Sequence, residues 1–270
     1  MDMYLESYLS YWNQFYASGK YDLKEALPAE VISYFDADFY PEPFYGYLNE
    51  DMSNDALLLL INPGDILIDK LRKSNPSLDY EGICRQFNDF VGNRYLNWTK
   101  EDYIHNEVIN RTTPGGKWRA SRLKQLEQLT NENLGFLHTL EFFPFHSKQW
   151  NVRKSLKEEW LYELESTQLA MQAIGDISTQ RKTKHIVGIG LDWVVLFGKY
   201  PELFERTNEY TITGKTGKPA HRVFQFKVKG NSDSLPIVIY SGSSMNLPVG
   251  TDSAVRLLRQ ALELEAIKIG

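Results

Sequence analysis

The sequence predicts an α/β fold in which four parallel strands form one open sheet, flanked by helices on both faces. Three observations carry this prediction: four short apolar runs, the Pro and Gly signals near their ends, and the helical periodicity between them. An apolar run that stops after a few residues at Pro or Gly fits a buried parallel strand better than a helix. The runs lie at 56–61, 135–143, 185–189 and 236–240.

The segments outside these runs account for the helices and for one hairpin. Apolar residues recur at helical spacing over 3–17, and Gly19 ends that helix. Apolar and polar residues alternate on either side of 214–219, so we predict an inserted β-hairpin over 206–230. The remaining helical segments are 23–35, 80–92, 119–130, 154–174, 191–200 and 252–266.

Length and composition fit one domain that spans residues 1–270. A chain of this length, with 42% hydrophobic residues, can bury a full core. We interpret the acidic residues 1–40 as a helical extension of that domain. The single Cys84 excludes a disulfide framework within the chain, and no apolar run reaches the ~18 residues of a transmembrane helix. We therefore expect a cytoplasmic protein with no membrane partner.

Charge is distributed unevenly, and the distribution bears on the class of partner. The net charge is −5, but residues 1–60 alone hold 11 acidic and 2 basic residues. Residues 106–125 hold five basic residues and one acidic residue, and 206–229 hold six and one. Such patches are compatible with nucleic acid, and ordinary solvated loops are the alternative. The candidate DNA contacts within them are Arg119, Arg122, Lys215 and Lys218.

Chemistry is expected in the loops that follow the strands, because ligands of parallel sheets bind at the carboxyl ends of the strands. These loops begin at Asn62, Pro144, Gly190 and Ser241. Residues 215–218 lack the spacing and the following helix of a phosphate loop, and a serine nucleophile elbow is absent. The five histidines show no metal-ligand spacing, so the sequence predicts no metal site.

Two of these loops together resemble the motifs of the uracil-DNA glycosylase superfamily. Leu-Ile-Asn-Pro-Gly at 60–64 resembles its first motif, Gly-Met/Ile-Asn-Pro-Gly, and Ser-Gly-Ser-Ser-Met-Asn at 241–246 resembles its last motif and the wedge that follows. The Pro-Glu-Pro segment at 40–46 and Ile-Val-Gly-Ile-Gly at 186–190 are similar to further family segments, the latter in the single-strand-selective branch. The order of all four segments matches over about residues 40–265.

The resemblance implies a uracil-DNA glycosylase-like sheet and a monofunctional DNA glycosylase. Such an enzyme flips a modified or deaminated pyrimidine out of DNA, hydrolyses its N-glycosidic bond and leaves an abasic site. The resemblance implies no metal or organic cofactor and DNA as the partner, and we expect a monomer. Some branches are thought to remove bulky modified bases from phage DNA, so base excision in antiviral defence is one expected setting.

The family's catalytic positions map onto Asn62 and Ser241, and Asp65 is the only carboxylate near Asn62 in the sequence. Asn62 would hold the attacking water, and Asp65, three residues on, could act as a general base. A turn residue and a helix N-cap are the respective alternatives. Ser241 stands where the family has His or Asn, and it can donate a hydrogen bond but carries no positive charge. This departure implies other catalytic groups, a substrate other than plain uracil, or binding without cleavage.

The base would be held by Ile61 and by the loop that ends the second strand. Alignment on Pro144 places Glu141 at the family's base-reading Asn, whereas alignment on the upstream Phe-x-His pattern places Thr139 there. A carboxylate at Glu141 would accept from a cytosine amino group and repel a uracil carbonyl, which favours a modified cytosine. Phe143 or Phe145 could stack on the flipped base, and a place in the core is the alternative. The wedge is assigned to Met245 and Asn246, and a flanking phosphate to Ser243.

Two other functions fit the same residues. One is a catalytically silent nucleic-acid-binding protein on the same fold, which the missing His favours and Asn62 disfavours. The other is an unrelated α/β hydrolase that acts on a nucleoside, for which DNA affinity would be absent.

Overall fold

The computed structural model describes residues 3–19, 27, 29–61, 63–64, 72–73, 76–147, 158–214, 217, 219–242, 246–249 and 253–264. The strands are β1 (Phe44–Tyr45), β2 (Ala56–Leu60), β3 (Leu137–Glu141), β4 (His185–Ile189), β5 (Phe204–Thr213), β6 (Pro219–Val228) and β7 (Ile237–Ser241). The helices are α1 (Met3–Ser18), α2 (Ala29–Ile32), α3 (Tyr80–Asn97), α4 (Lys100–Ile109), α5 (Pro114–Thr130), α6 (Trp160–Glu163), α7 (Glu165–Thr179), α8 (Asp192–Gly198) and α9 (Ser253–Ala261).

The strands form one mixed sheet in the order β1-β3-β2-β4-β7-β6-β5. The α/β class is confirmed, and the four apolar runs pair in parallel as β3-β2-β4-β7. The expected sheet of only four strands is wrong. Strand β1 adds antiparallel to β3 at one edge, and β6 adds antiparallel to β7 at the other, so that the predicted hairpin continues the sheet. Periodicity marks a strand but does not identify its neighbour.

Helices cover both faces of the sheet, as predicted. In β2, Leu57 and Leu59 belong to one core and Ala56 and Leu58 to the other, because successive side chains of a strand point to opposite faces. Helices α1, α7 and α8 pack on the first core, and α5 and α9 pack on the second. None of the helices within the described residues has the length and apolar character needed to cross a membrane.

Helix α5 begins at Pro114, five residues before the predicted start at 119. The apolar periodicity does not reveal the first turn, because that turn contains Gly115 and Gly116. The Thr113 hydroxyl accepts from the Gly116 backbone N–H, and Pro114 occupies the first helical position, where a missing N–H costs nothing. A Cβ on Gly116 would lie 2.0 Å from the Asn110 carbonyl oxygen. The close approach of the Asn110 backbone therefore requires the glycine, and it fixes the start of the helix beside the carboxyl ends of the strands.

Helix α1 packs in the first core, which also contains Leu57 and Leu59 of β2. Tyr8 and Trp12 are each 1% exposed, and the Asp176 carboxylate of α7 accepts from the Tyr4 and Leu5 backbone N–H groups at 2.8 and 3.0 Å. The Tyr8 hydroxyl donates to the Pro43 carbonyl at 2.9 Å. The acidic N-terminal segment thus anchors the chain that leads into β1.

Candidate active site

A cavity of about 400 Å³ lies at the carboxyl ends of β2 and β3. Leu60 and Pro63 line it from the end of β2, and Thr139 and Glu141 line it from β3. Leu60 and Glu141 are register partners in the parallel pair. This is the position at which ligands bind in parallel sheets, and the volume falls within the range of small-molecule sites.

Backbone hydrogen bonds hold the two strand ends together beyond the strands themselves. The Phe142 and Phe143 N–H groups donate to the Leu60 and Ile61 carbonyls, each at 2.8 Å. The Glu141 N–H donates to the Pro43 carbonyl at 2.8 Å. The cavity floor is therefore rigid backbone from three neighbouring segments.

The wall of the cavity is aromatic. Phe44 and Tyr45 of β1 line one side, and Trp118 and Arg119 of α5 line the other. The Arg119 guanidinium lies 4.0 Å from the centre of the Tyr45 ring, and its Nε is 2.5 Å from the Glu107 carboxylate. Its charge is therefore already balanced where it meets the cavity.

Glu42, the central residue of the Pro-Glu-Pro segment, brings a carboxylate to the cavity. Its Oε2 accepts from Arg94 at 2.6 Å, and its Oε1 lies 3.3 Å from Nε2 of His146. Burial by itself raises the pKa of Glu42, but the charge of Arg94 and the contact with His146 outweigh it. The pKa of Glu42 therefore lies well below its usual range, and this side chain is ionised.

Glu141 is a second carboxyl group in the cavity, and it has the opposite character. The residue is 6% exposed, and its Oε2 has no hydrogen-bond partner among the described residues. Burial raises the pKa of Glu141 well above its usual range, and the charge of Glu42 raises it further. The neutral carboxyl group has one donor and one acceptor, so it pairs with uracil-type and cytosine-type edges alike. The expected preference for cytosine assumed an ionised carboxylate.

Of the other residues assigned to the base, one lines the cavity and two belong to the core. Thr139 lines the cavity with Glu141. Ile61 is half-buried, and its side chain packs against the first core. Phe143 is fully buried, with its ring 4.9 Å from those of Phe35 and Phe145, and it belongs to the core.

The loop after β7 is tied to the cavity wall. Asn246 accepts from Arg122 Nη1 at 2.6 Å, and the Leu247 N–H donates to the Gln125 side chain at 3.2 Å. Arg122 is 7% exposed and lies 5.2 Å from the Trp118 ring. Helix α5 therefore carries both the wall of the cavity and the anchor of this loop.

Ser241 ends β7 and is half-buried, opposite Arg222 of β6. The neighbouring strand supplies an imidazole here, since His221 Nδ1 lies 2.7 Å from the Tyr240 hydroxyl. A Cβ on Gly242 would lie 2.3 Å from that hydroxyl, which explains why glycine follows Ser241. The remaining sequence-derived candidates lie outside the described residues: Asn62, Asp65, Lys215, Lys218, Ser243 and Met245.

Sequence reasoning missed several residues of the cavity. The Pro-Glu-Pro segment stands out in the sequence, but nothing in it shows that Glu42 meets Arg94, which is 52 positions away. Tyr45 and Trp118 carry no pattern that separates them from core aromatics. Across the described residues no cluster of three or more His, Cys, Asp or Glu side chains is arranged to hold a metal ion.

Comparisons of the chain with models of protein families, with curated proteins and with solved structures give no match.

Proposed function

We propose that this chain is a monofunctional DNA glycosylase that hydrolyses the N-glycosidic bond of a modified or deaminated pyrimidine. One observation carries the proposal: the cavity joins the end of β2, where the Asn-Pro-Gly segment begins, to Thr139 and Glu141 of β3. The family resemblance implies a base pocket between these two segments. A cavity in this place supports the resemblance with geometry that the sequence does not contain.

The cavity has the chemical features that a flipped base requires. Aromatic side chains line the cavity, and a protonated Glu141 carboxyl group has a donor and an acceptor for a base edge. The cavity lies between the ends of the strands and α5, so a base bound there would be partly shielded from solvent, which strengthens hydrogen bonds to its edge. Its volume admits a substituted base, which includes modified cytosines such as those of phage DNA.

The reaction breaks the bond between C1′ of the sugar and N1 of the base, and water attacks C1′. Asn62 and Asp65 lie just after Ile61 in the sequence, on either side of Pro63-Gly64. We assign Asn62 to hold the attacking water and Asp65 to act as its general base. The departing base carries negative charge, which the enzyme must stabilise. Ser241 replaces the family's His or Asn and cannot supply a positive charge.

Abasic-site formation on a panel of DNAs tests this proposal. The panel contains uracil, thymine mismatches, hydroxymethylcytosine and glucosylated hydroxymethylcytosine, and alkaline cleavage reveals each abasic site. We expect cleavage of at least one substrate, and we expect Asn62→Ala to abolish it. Lys124→Met on the exposed face of α5 is the matched control and should cleave normally. DNA binding without cleavage of any substrate would instead identify the silent binder.

One observation favours a second candidate, hydrolysis of a free nucleoside. Arg119 is the single cationic side chain that lines the cavity within the described residues, and it is paired with Glu107. Release of base from free nucleosides, without salt-dependent DNA affinity, would support this candidate.

A further inference from the structure

We propose that Glu141 is the general acid of this reaction and protonates the pyrimidine as it leaves the sugar. This inference rests on the proposed glycosylase function and deepens it, because it identifies the group that neutralises the departing base. The class of substrate that follows is a pyrimidine whose ring nitrogen N3 or carbonyl O4 can accept that proton.

The position of Glu141 is the first argument. Its side chain lines the cavity from β3, which lies between β1 and β2 in the sheet, and its Oε2 has no partner among the described residues. A buried polar atom without a partner is costly, so its retention at a cavity wall points to a ligand that completes its bonding. Within the part of the chain that the structure describes, Glu141 is thus one of two carboxyl-bearing residues that line the cavity, the other being Glu42.

The surroundings of Glu141 are the second argument. Glu42 lines the same cavity and keeps its charge through Arg94, whereas Glu141 faces that charge and keeps its proton. Two carboxyl groups whose environments separate their protonation states are the usual arrangement of an acid beside a fixed anion. Two titratable groups interact electrostatically with Glu141 in the described residues: Tyr8 of α1 and Glu42 before β1. Tyr45 of β1 and Arg119 of α5 line the same cavity. Arg94 of α3 and His146 after β3 contact Glu42, and Arg94 also contacts Tyr95.

The chemistry balances with water as the single co-reactant. The bond between C1′ and N1 breaks, and its electron pair passes to the base. The Glu141 proton moves to N3 of a cytosine-type base, or to O4 of a uracil-type base, so that the base leaves neutral. The oxygen of water bonds to C1′, and its proton passes to the general base and from there to solvent. The Glu141 carboxylate regains a proton from solvent once the base has left.

The missing family residue explains why such an acid is needed. Ser241 can donate a hydrogen bond but cannot offset a full negative charge. Arg119 is the cationic side chain that the described residues bring to the cavity, and Glu107 already balances its charge. A neutral acid removes the charge on the leaving group outright.

Glu141→Gln tests the proposal, because glutamine retains a donor and an acceptor of nearly the same shape but transfers no proton. Single-turnover excision should be measured over a pH series, on the substrate found in the panel and on its 5-fluoro analogue. We expect a loss of at least about 100-fold on the parent base. DNA affinity should stay within a few-fold. The loss should shrink on the 5-fluoro base, because fluorine stabilises the departing anion and lessens the need for a proton.

The pH profile provides a second reading. Wild-type excision should fall as rising pH removes the Glu141 proton, and Glu141→Gln should lose that alkaline fall. Burial raises the pKa of Glu141 and the charge of Glu42 raises it further, so Glu42→Gln should move the alkaline fall to lower pH. The parent and 5-fluoro substrates should be compared in both variants.

The outcomes separate the two proposals. Active wild type, with equal losses on the parent and 5-fluoro bases and an unchanged alkaline fall in Glu141→Gln, overturns the acid role and leaves the glycosylase intact. Undiminished excision by Glu141→Gln does the same. A wild-type protein that excises no base overturns the glycosylase function, and the acid role fails with it.

Discussion

The Arg94 guanidinium donates a 2.6 Å hydrogen bond to the Glu42 carboxylate, joining helix α3 to the segment before β1. Arg94 is buried, whereas Glu42 reaches the cavity that Glu141 also lines. The ion pair thus holds the negative charge of Glu42 near the buried carboxyl group of Glu141, whose Oε2 has no hydrogen-bond partner among the described residues. This contact is the largest influence that lowers the pKa of Glu42, and the charge of Glu42 adds to burial in raising the pKa of Glu141.

Breaking this pair should destabilise the protein. Arg94→Met leaves Glu42 without its cation, and removal of one partner of a buried pair costs roughly 3 kcal/mol. Urea denaturation at pH 7 measures the free energy of unfolding. The double variant Arg94→Met, Glu42→Gln should lose less than the sum of the two single variants, because it leaves no unpaired charge. Additive losses would show that the two side chains act independently.

The loss of stability caused by Glu42→Gln should depend on pH, because the pKa of Glu42 is lowered in the folded protein. A carboxyl group whose pKa is lower in the folded state stabilises the fold above its unfolded pKa, about 4.3, and less as pH falls below that value. The destabilisation by Glu42→Gln should therefore shrink as the pH falls from 7 toward 3. A loss that is the same across this range would contradict the assigned ionisation.

Glu141 should show the opposite dependence. Its raised pKa means that the folded state holds its proton after the unfolded state has released it, so the fold loses stability as pH rises above about 4.3. Glu141→Gln should therefore raise the free energy of unfolding at pH 7. The gain is about 1.4 kcal/mol for each pH unit between the folded and unfolded pKa values, and it should vanish near pH 4. Thermal and urea unfolding at both pH values check this, and a destabilised variant at pH 7 would sink it.

The hydroxyl groups of α1 should stabilise the segment that carries Glu42. Tyr8 and Tyr16 donate to the Pro43 and Pro41 carbonyls at 2.9 and 2.6 Å. Each change to Phe should cost roughly 1 kcal/mol of unfolding free energy, because a buried carbonyl loses its donor. Tyr4→Phe, at an exposed position of the same helix, is the matched control and should be neutral. If Tyr4→Phe and Tyr8→Phe lowered the free energy of unfolding equally, the loss would not come from the hydrogen bond between Tyr8 and Pro43.

The buried Arg122 should act through the loop after β7. Arg122→Met removes the 2.6 Å hydrogen bond to Asn246 and should cost roughly 1.5–3 kcal/mol, as expected for a charged donor. Its effect on DNA affinity should be uniform across salt concentrations, because the side chain is committed to the protein. Lys124→Met is the control from the exposed face of α5. A reduced salt slope in Arg122→Met alone would instead support the phosphate contact that the basic patch predicts.

The sequence by itself determined the class of the fold and the edge of the sheet at which the candidate site lies. Apolar runs that end at Pro or Gly encode buried strands locally, and their alternation with helical segments leaves a parallel sheet as the arrangement that buries both. Because ligands bind at the carboxyl ends of parallel strands, this arrangement points to the loop after the first run and to the end of the second run. The structure places the ends of these runs together around one cavity.

The tertiary structure alone decided how the sheet ends and what charge the cavity carries. Strand β1 is two residues long, and the partner of β6 is a strand that begins nine residues after β6 ends, so neither pairing has a local signal. The protonation of Glu141 depends on burial and on Glu42, which is held by an arginine 52 positions away. A low-dielectric environment and a distant charge exist only once the chain has folded, and they raise the pKa of a residue that the sequence alone would suggest is an anion.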